Sequence, residues 1–115
     1  MKPIFHITSA AEAEQAKESG EYAPAAFDVD GFIHCSYADQ VTRVANFKYR
    51  GGRDLVLLEI DCSAVPHEVI DENLDGGTEL FPHIYGRLPM SAVVRIHKFP
   101  CGNGGNFELP SSVPA

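Results

Sequence analysis

The segment Leu55-Val56-Leu57-Leu58-Glu59-Ile60 constrains the fold more than any other part of the chain. It is a near-continuous apolar run held between Asp54 and Asp61. A strand with one wet face alternates apolar and polar residues, so a run of this kind suits a strand covered on both faces. Around it, local signals mark further elements. Ile4–Ile7, after Pro3, reads as a first strand. Ser9 and Glu12 make a capping box that opens a helix over residues 10–19, and Gly20 closes it. Ala13 and Ala16 are its apolar teeth, so it packs closely but weakly. Residues 21–30, with Pro24 and three acidic residues, read as a loop.

Residues 31–35 read as a second strand, with Ser36 as cap and Asp39 as box partner of a helix over 37–49 that ends at Gly51-Gly52. Val69–Leu74 reads as an edge strand and Asp75-Gly76-Gly77 as a turn. Residues 79–85 hold Pro82, which cannot donate to a ladder, so they read as an edge or irregular segment. Residues 88–92 suggest a short helical turn and 93–99 a final strand closed by Pro100. The Gly-, Pro- and Ser-rich stretch 101–115 reads as a tail, ordered and then frayed, outside a core of about residues 3–99. Early helices and late strands predict an α+β fold with a mixed or antiparallel sheet and two early helices, in one domain spanning 1–115.

Charge narrows the partners. Sixteen Asp and Glu outnumber nine Lys and Arg, for a net charge of −7 with His neutral. That balance disfavours long nucleic acids and anionic membranes, which need a basic footprint. It leaves room for a small phosphate ligand, because Arg43, Lys48, Arg50 and Arg53 face only Asp39 within residues 39–53. No apolar run reaches the ~20 residues of a membrane span, and the first residues lack a signal-peptide apolar stretch, so a cytoplasmic protein is expected. Three widely spaced cysteines, Cys35, Cys62 and Cys101, form no disulfide framework and read as reduced, mostly buried thiols.

The candidate chemistry falls in three places. His6-Ile7-Thr8, His34-Cys35-Ser36 and His83-Ile84-Tyr85 each put a hydroxyl two positions after a histidine, on the same face of an extended chain. A histidine inside an apolar segment must satisfy two ring nitrogens. Three such segments point to a shared pocket. Imidazoles and hydroxyls suit ribose hydroxyls and amides, Glu79 suits a cationic sugar transition state, and the basic stretch suits a pyrophosphate. Three His and Cys35 also have the ligand types of a zinc site, but no pair has metal-site spacing. A Cys35 nucleophile would need His6 or His83 as its base, since His34 points to the opposite face. His67 and His97 read as surface residues, Tyr22 as a residue closing the core, and Phe81 and Tyr85 as packing beside Pro82.

The strings GFIHCS (31–36) and ELFPHIYG (79–86), with FHIT (5–8), LVLLEID (55–61) and LPMSAVV (88–94), resemble a small bacterial domain-of-unknown-function family, number nine hundred fifty-two. The resemblance spans about residues 3–99; the Trp that the family often carries in its first helix is missing here. The family's fold resembles the ADP-ribosyltransferase fold, a split mixed sheet around an NAD cleft, shared by ADP-ribosylating toxins and RNA 2′-phosphotransferases. That resemblance implies His6 and Thr8 on the ribose and amide, and His34 and Ser36 on the nicotinamide side. It implies Glu79 as the nearest match to the catalytic Glu of the toxins, and NAD or a related nucleotide as the ligand; His83 has no firm counterpart there, and it enters as a catalytic candidate, with Tyr85 and Arg53 as cofactor contacts, from the residue pattern alone. ADP-ribosyl or phosphoryl transfer would be the chemistry, although the Arg positions of the phosphotransferases are not matched. Two other classes stay open: a non-catalytic ligand-binding or regulatory module, and a metal- or thiol-dependent enzyme.

Overall fold

The computed structural model describes residues 2–74 and 76–113. The order is β1 (Ile4–Ser9), α1 (Ala10–Ser19), β2 (Glu21–Tyr22), α2 (Phe27–Asp30), β3 (Ile33–His34), β4 (Ser36–Tyr37), α3 (Ala38–Lys48), β5 (Leu55–Ile60), β6 (Val69–Glu72), β7 (Phe81–Ile84), β8 (Leu88–Pro89) and β9 (Val93–Lys98). Short 3₁₀ turns lie at Cys62–Ala64, Met90–Ala92 and Asn103–Gly105. The class is α+β. Three sheets form among the described residues, ordered β4-β1-β5-β9, β3-β7-β6 and β2-β8, and every pairing is antiparallel, so the sheet is not mixed.

The apolar run is the inner strand β5. It pairs with β1 from Ile4↔Ile60 to Ser9↔Leu55 and with β9 on its other edge. Both of its faces are buried, as the unbroken pattern requires. Leu57 packs with Phe5, Ile7, Val41, Ala45 and Phe99 on the α3 side; Val56, Leu58 and Ile60 pack with Ile4, Ala13, Ala16 and Ile33 on the other. Period-2 alternation therefore sends Phe5 and Ile7 of β1 under α3 and leaves Ile4, His6 and Thr8 on the opposite face.

Helix α1 starts and stops on its own chemistry. Ser9 Oγ accepts the Glu12 N–H at 3.1 Å, and Gly20, at φ 86°, gives its N–H to Ala16 O. For α3 the predicted cap is displaced by one residue. Ser36 is spent in β4, opposite Phe5, and Tyr37 is the cap, its N–H bonded to Gln40 Oε1 at 3.0 Å. Asp39 is not the box partner. The stretch 31–35 yields only the two-residue strand β3, because Gly31 adopts the left-handed region as the end of α2. Residues 21–30 are not a loop throughout: they contain β2, which pairs with β8, and the single turn of α2.

Two further expectations fail. Pro82 lies in the inner strand of β3-β7-β6, not at an edge. Its carbonyl accepts from Cys35 N at 3.0 Å, one position beyond the end of β3. The missing N–H therefore falls on the same side, where the ladder is already ending, and costs one bond at most. The stretch after 99 is not outside the core. Phe107 and Val113 are buried, the Phe107 ring stacks on Phe99 at 4.8 Å, and the Asn46 amide brackets the Phe107 backbone through both its N–H and C=O. Asp75 of the 75–77 turn and residues 114 and 115 of the tail lie outside the described residues.

Candidate functional site

A cleft of about 720 Å³ opens along β1 from Phe5 to Ser9 and takes residues of both its faces, His6 and Thr8 among them. Its walls come from Phe32 and the 34–36 segment, from the C-terminal half of α3, and from Phe81 and His83 of β7. The volume is within the range of small-molecule sites. The three histidine segments do converge: His6, Thr8, His34, Ser36 and His83 all line it. Antiparallel register explains part of this, since His34 and His83 face each other across β3 and β7 and their rings lie 5.1 Å apart.

His6 forms the floor. Its Nδ1 is 2.6 Å from the His34 carbonyl and its Nε2 is 2.8 Å from the Tyr22 hydroxyl. A carbonyl only accepts, so Nδ1 carries the proton. Burial lowers the His6 pKa from 6.5 to about 4, against the opposing pull of the His34 carbonyl, so the ring is neutral at pH 7. His34 is half-exposed, with Nε2 4.0 Å from Asp30 Oδ2. His83 is 2% exposed, and its Nδ1 has no hydrogen-bond partner among the described residues; the nearest acid, Glu72, is 3.9 Å away. Phe32 sets its ring edge-on against both His34 and His83.

Three predicted site residues fall outside the cleft lining. Glu79 holds the Arg43 guanidinium in a bidentate pair, with both N···O distances at 2.8 Å, and also accepts from Gln40 Nε2. The Arg43 contact, with Gln40 assisting, pulls the Glu79 pKa down to about 2. Tyr85 stands behind Phe32, at 5.5 Å between rings, and its hydroxyl donates to Glu72. Arg53 does not reach the cleft, nor does Arg50; Arg43 and Lys48 do. Cys35 lines the cleft, but burial pushes its thiol well above its ordinary pKa, so it is no ready thiolate. Among the described residues, no three His, Cys, Asp or Glu are grouped as a metal site would need.

Sequence reasoning missed several lining residues. Glu12 was legible only as a cap partner, yet Thr8 Oγ1 donates to its Oε1 at 3.1 Å. Tyr22 reaches into the cleft from the two-residue strand β2 and bonds both His6 and Thr8. Phe47 and Tyr49 stand at the cleft mouth, Phe47 86% exposed. Their signal was present: both aromatics lie off the apolar stripe Ala38, Val41, Val44 and Ala45.

These features define an antiparallel α+β protein with a histidine-lined cleft. The family model for proteins of unknown function DUF952 matches residues 7–96, and the chain belongs to that family. It is similar to the crystal structure of protein CC0527 from Caulobacter crescentus, with 33% identity, a TM-score of 0.83, and coverage of 94% of this chain and 95% of that one. A crystal structure of a double mutant of CC0527 gives the same figures. The solution NMR structure of CC0527 has a TM-score of 0.82 and 34% identity over 95% of this chain and 94% of that one. No curated protein matches the chain significantly. Among the described residues, no helix is long and apolar enough to cross a membrane.

Proposed function

We propose that the cleft binds a nucleotide of the NAD or ADP-ribose type, in an arrangement similar to that of ADP-ribosyltransferases. The observation that carries this reading is the convergence of His6, Thr8, His34, Ser36 and His83 on one cleft whose mouth holds Arg43, Lys48, Phe47 and Tyr49. Hydroxyls and imidazoles match ribose hydroxyls and a carboxamide. Glu79 occupies the Nη1/Nη2 fork of Arg43 and fixes the guanidinium plane, which leaves the Nε–H and the outer N–H groups as donors for a pyrophosphate. Phe47 and Tyr49 offer π-faces to a base, an arrangement that holds an exposed aromatic in place once a ligand is bound.

The transfer chemistry that follows breaks the bond from the ribose anomeric carbon to nicotinamide nitrogen. Nicotinamide leaves with the electron pair, and an acceptor hydroxyl forms the new bond after losing its proton. Glu12 and Asp30 are carboxylates that line the cleft, and they replace Glu79 as the groups able to balance a cationic sugar.

Thermal-shift and ligand-observed NMR titrations with NAD, ADP-ribose and nicotinamide test this reading. Saturable binding of ADP-ribose, weakened at least about tenfold by Arg43→Ala, is expected from the loss of a charge-assisted pair. No response to any of the three at millimolar concentration overturns it. Release of free nicotinamide from NAD separates a transferase from a module that only binds.

A further inference from the structure

Four contacts run in one line from the cleft floor to its edge. His6 Nδ1 meets His34 O at 2.6 Å, and His6 Nε2 meets Tyr22 Oη at 2.8 Å. Tyr22 Oη meets Thr8 Oγ1 at 3.1 Å, and Thr8 Oγ1 meets Glu12 Oε1 at 3.1 Å. The two ends, a carbonyl and a carboxylate, only accept. Between them a neutral imidazole brings one N–H, and Tyr22 and Thr8 bring one O–H each. Three hydrogens serve four contacts. Nδ1 donates to the carbonyl and Thr8 to the carboxylate. The single Tyr22 hydrogen then serves either Thr8 Oγ1 or His6 Nε2, and the other of those two contacts has no hydrogen between its atoms. Ser9 does not relieve the shortage, because its hydroxyl also donates to Glu12 Oε1.

One added proton completes the line in either of two ways. Placed on His6 Nε2, it turns every hydrogen toward Glu12. Placed on Glu12, it turns every hydrogen back toward His6. The two states interconvert by three hops: Nε2 to Tyr22 Oη, Tyr22 Oη to Thr8 Oγ1, and Thr8 Oγ1 to Glu12 Oε1. Imidazolium and carboxylate become imidazole and carboxylic acid, and no electrons are transferred.

We propose that His6, Tyr22, Thr8 and Glu12 form a proton relay that stores one shared proton and serves the cleft as a general base. Glu12, exposed at the cleft edge, is the end that meets solvent and ligand; Tyr22 and Thr8 are positioning residues that act through it. The role as base for an acceptor hydroxyl rests on the cleft being the ligand site proposed above, whereas the shared proton does not. Burial keeps His6 and the Tyr22 phenol uncharged at neutral pH, so the line stands one proton short there. The other titratable groups in reach are His34 beside His6, Cys35 and Tyr49 beside Tyr22, and Asp30, Arg43, Lys48 and His83 around the same cleft.

The test needs no ligand. The His6 ring nitrogens and the Glu12 carboxyl carbon of the labelled full-length chain are followed by NMR from pH 8 to pH 3. A shared proton makes both signals move with common midpoints, each showing part of its full shift. Tyr22→Phe separates the two curves and lowers the His6 midpoint by about one pH unit, as loss of an acceptor for the imidazolium requires. Glu12→Gln supplies an amide donor to Thr8, completes the line without a proton, and lowers the His6 midpoint as well. Should Tyr22→Phe fail to fold, Glu12→Gln on the exposed face of α1 decides alone. Separate midpoints in the wild type, or a His6 curve indifferent to Glu12→Gln, overturn the relay. Those results leave ADP-ribose binding unaffected, and failure of ADP-ribose to bind leaves the shared proton unaffected.

Discussion

His6 and His97 sit in the same four-stranded sheet, both buried and both bonded at each ring nitrogen, yet they do different work. His97 lies on the β9 edge of the sheet. Its Nε2 donates to Glu59 Oε1 at 2.7 Å, and its Nδ1 meets Ser112 Oγ at 2.7 Å. Glu59 is the one acid inside the apolar run of β5, and His97 is 2% exposed. The pair holds the C-terminal segment, with Phe107 and Val113, against the sheet. His6 has a carbonyl and a phenol as partners, and open cleft beyond them. A direct carboxylate contact fixes the first histidine in place. The other touches a carboxylate only through the Tyr22 and Thr8 hydroxyls. The two rings differ in partners and not in burial, and that difference separates a clasp from a ring on the floor of a cleft.

Breaking the clasp carries the largest expected effect. His97→Ala strands a buried Glu59 carboxylate, a loss of about 3–5 kcal/mol. Chemical denaturation reads it directly, and a loss below about 1 kcal/mol refutes the clasp.

The second effect sharpens the contrast through pH. His6 accepts a proton near 6.5 when unfolded and near 4 when folded. Between those values the unfolded chain holds more protons, so stability rises with pH across that window. It is complete above about pH 6.5 and is lost by up to about 3 kcal/mol as pH falls to about 4. Below the ordinary carboxylate range Glu79, held down by Arg43, adds loss of the same sign. His6→Gln removes the slope between pH 6.5 and 4, measured as denaturation midpoint against pH; an unchanged slope contradicts the assignment.

The smallest effect separates the two partners of His97. Ser112→Ala removes one hydrogen bond at an exposed residue, so about 1 kcal/mol is expected. Faster amide exchange confined to residues 101–113 would locate the loss in the C-terminal segment; exchange that quickens across the sheet would contradict the clasp.

Much of the fold was legible because its signals are local. Ser9, Glu12 and Gly20 specify α1 through contacts within four residues, and Leu55–Ile60 declares burial on both faces by composition alone. Pro82 misled because a missing N–H says nothing about where a ladder ends. His97 misled because its cover, the segment from 101 to 113, has a composition that reads as tail. Tyr22 was hidden because a two-residue strand has no periodicity to detect.

The three histidine segments were visible by themselves, since a His and a hydroxyl two apart share a face in any extended chain. By its own local chemistry the sequence determined the central strand, the capped helix and the residue types available for a site. Only the tertiary structure decided which histidine lines the cleft and which one clasps. The reason is distance along the chain: His6 meets a carbonyl 28 residues away, His97 an acid 38 residues away, and Arg43 an acid 36 residues away. No local pattern carries those partners; the β1–β5–β9 register and the packing of the last thirteen described residues do.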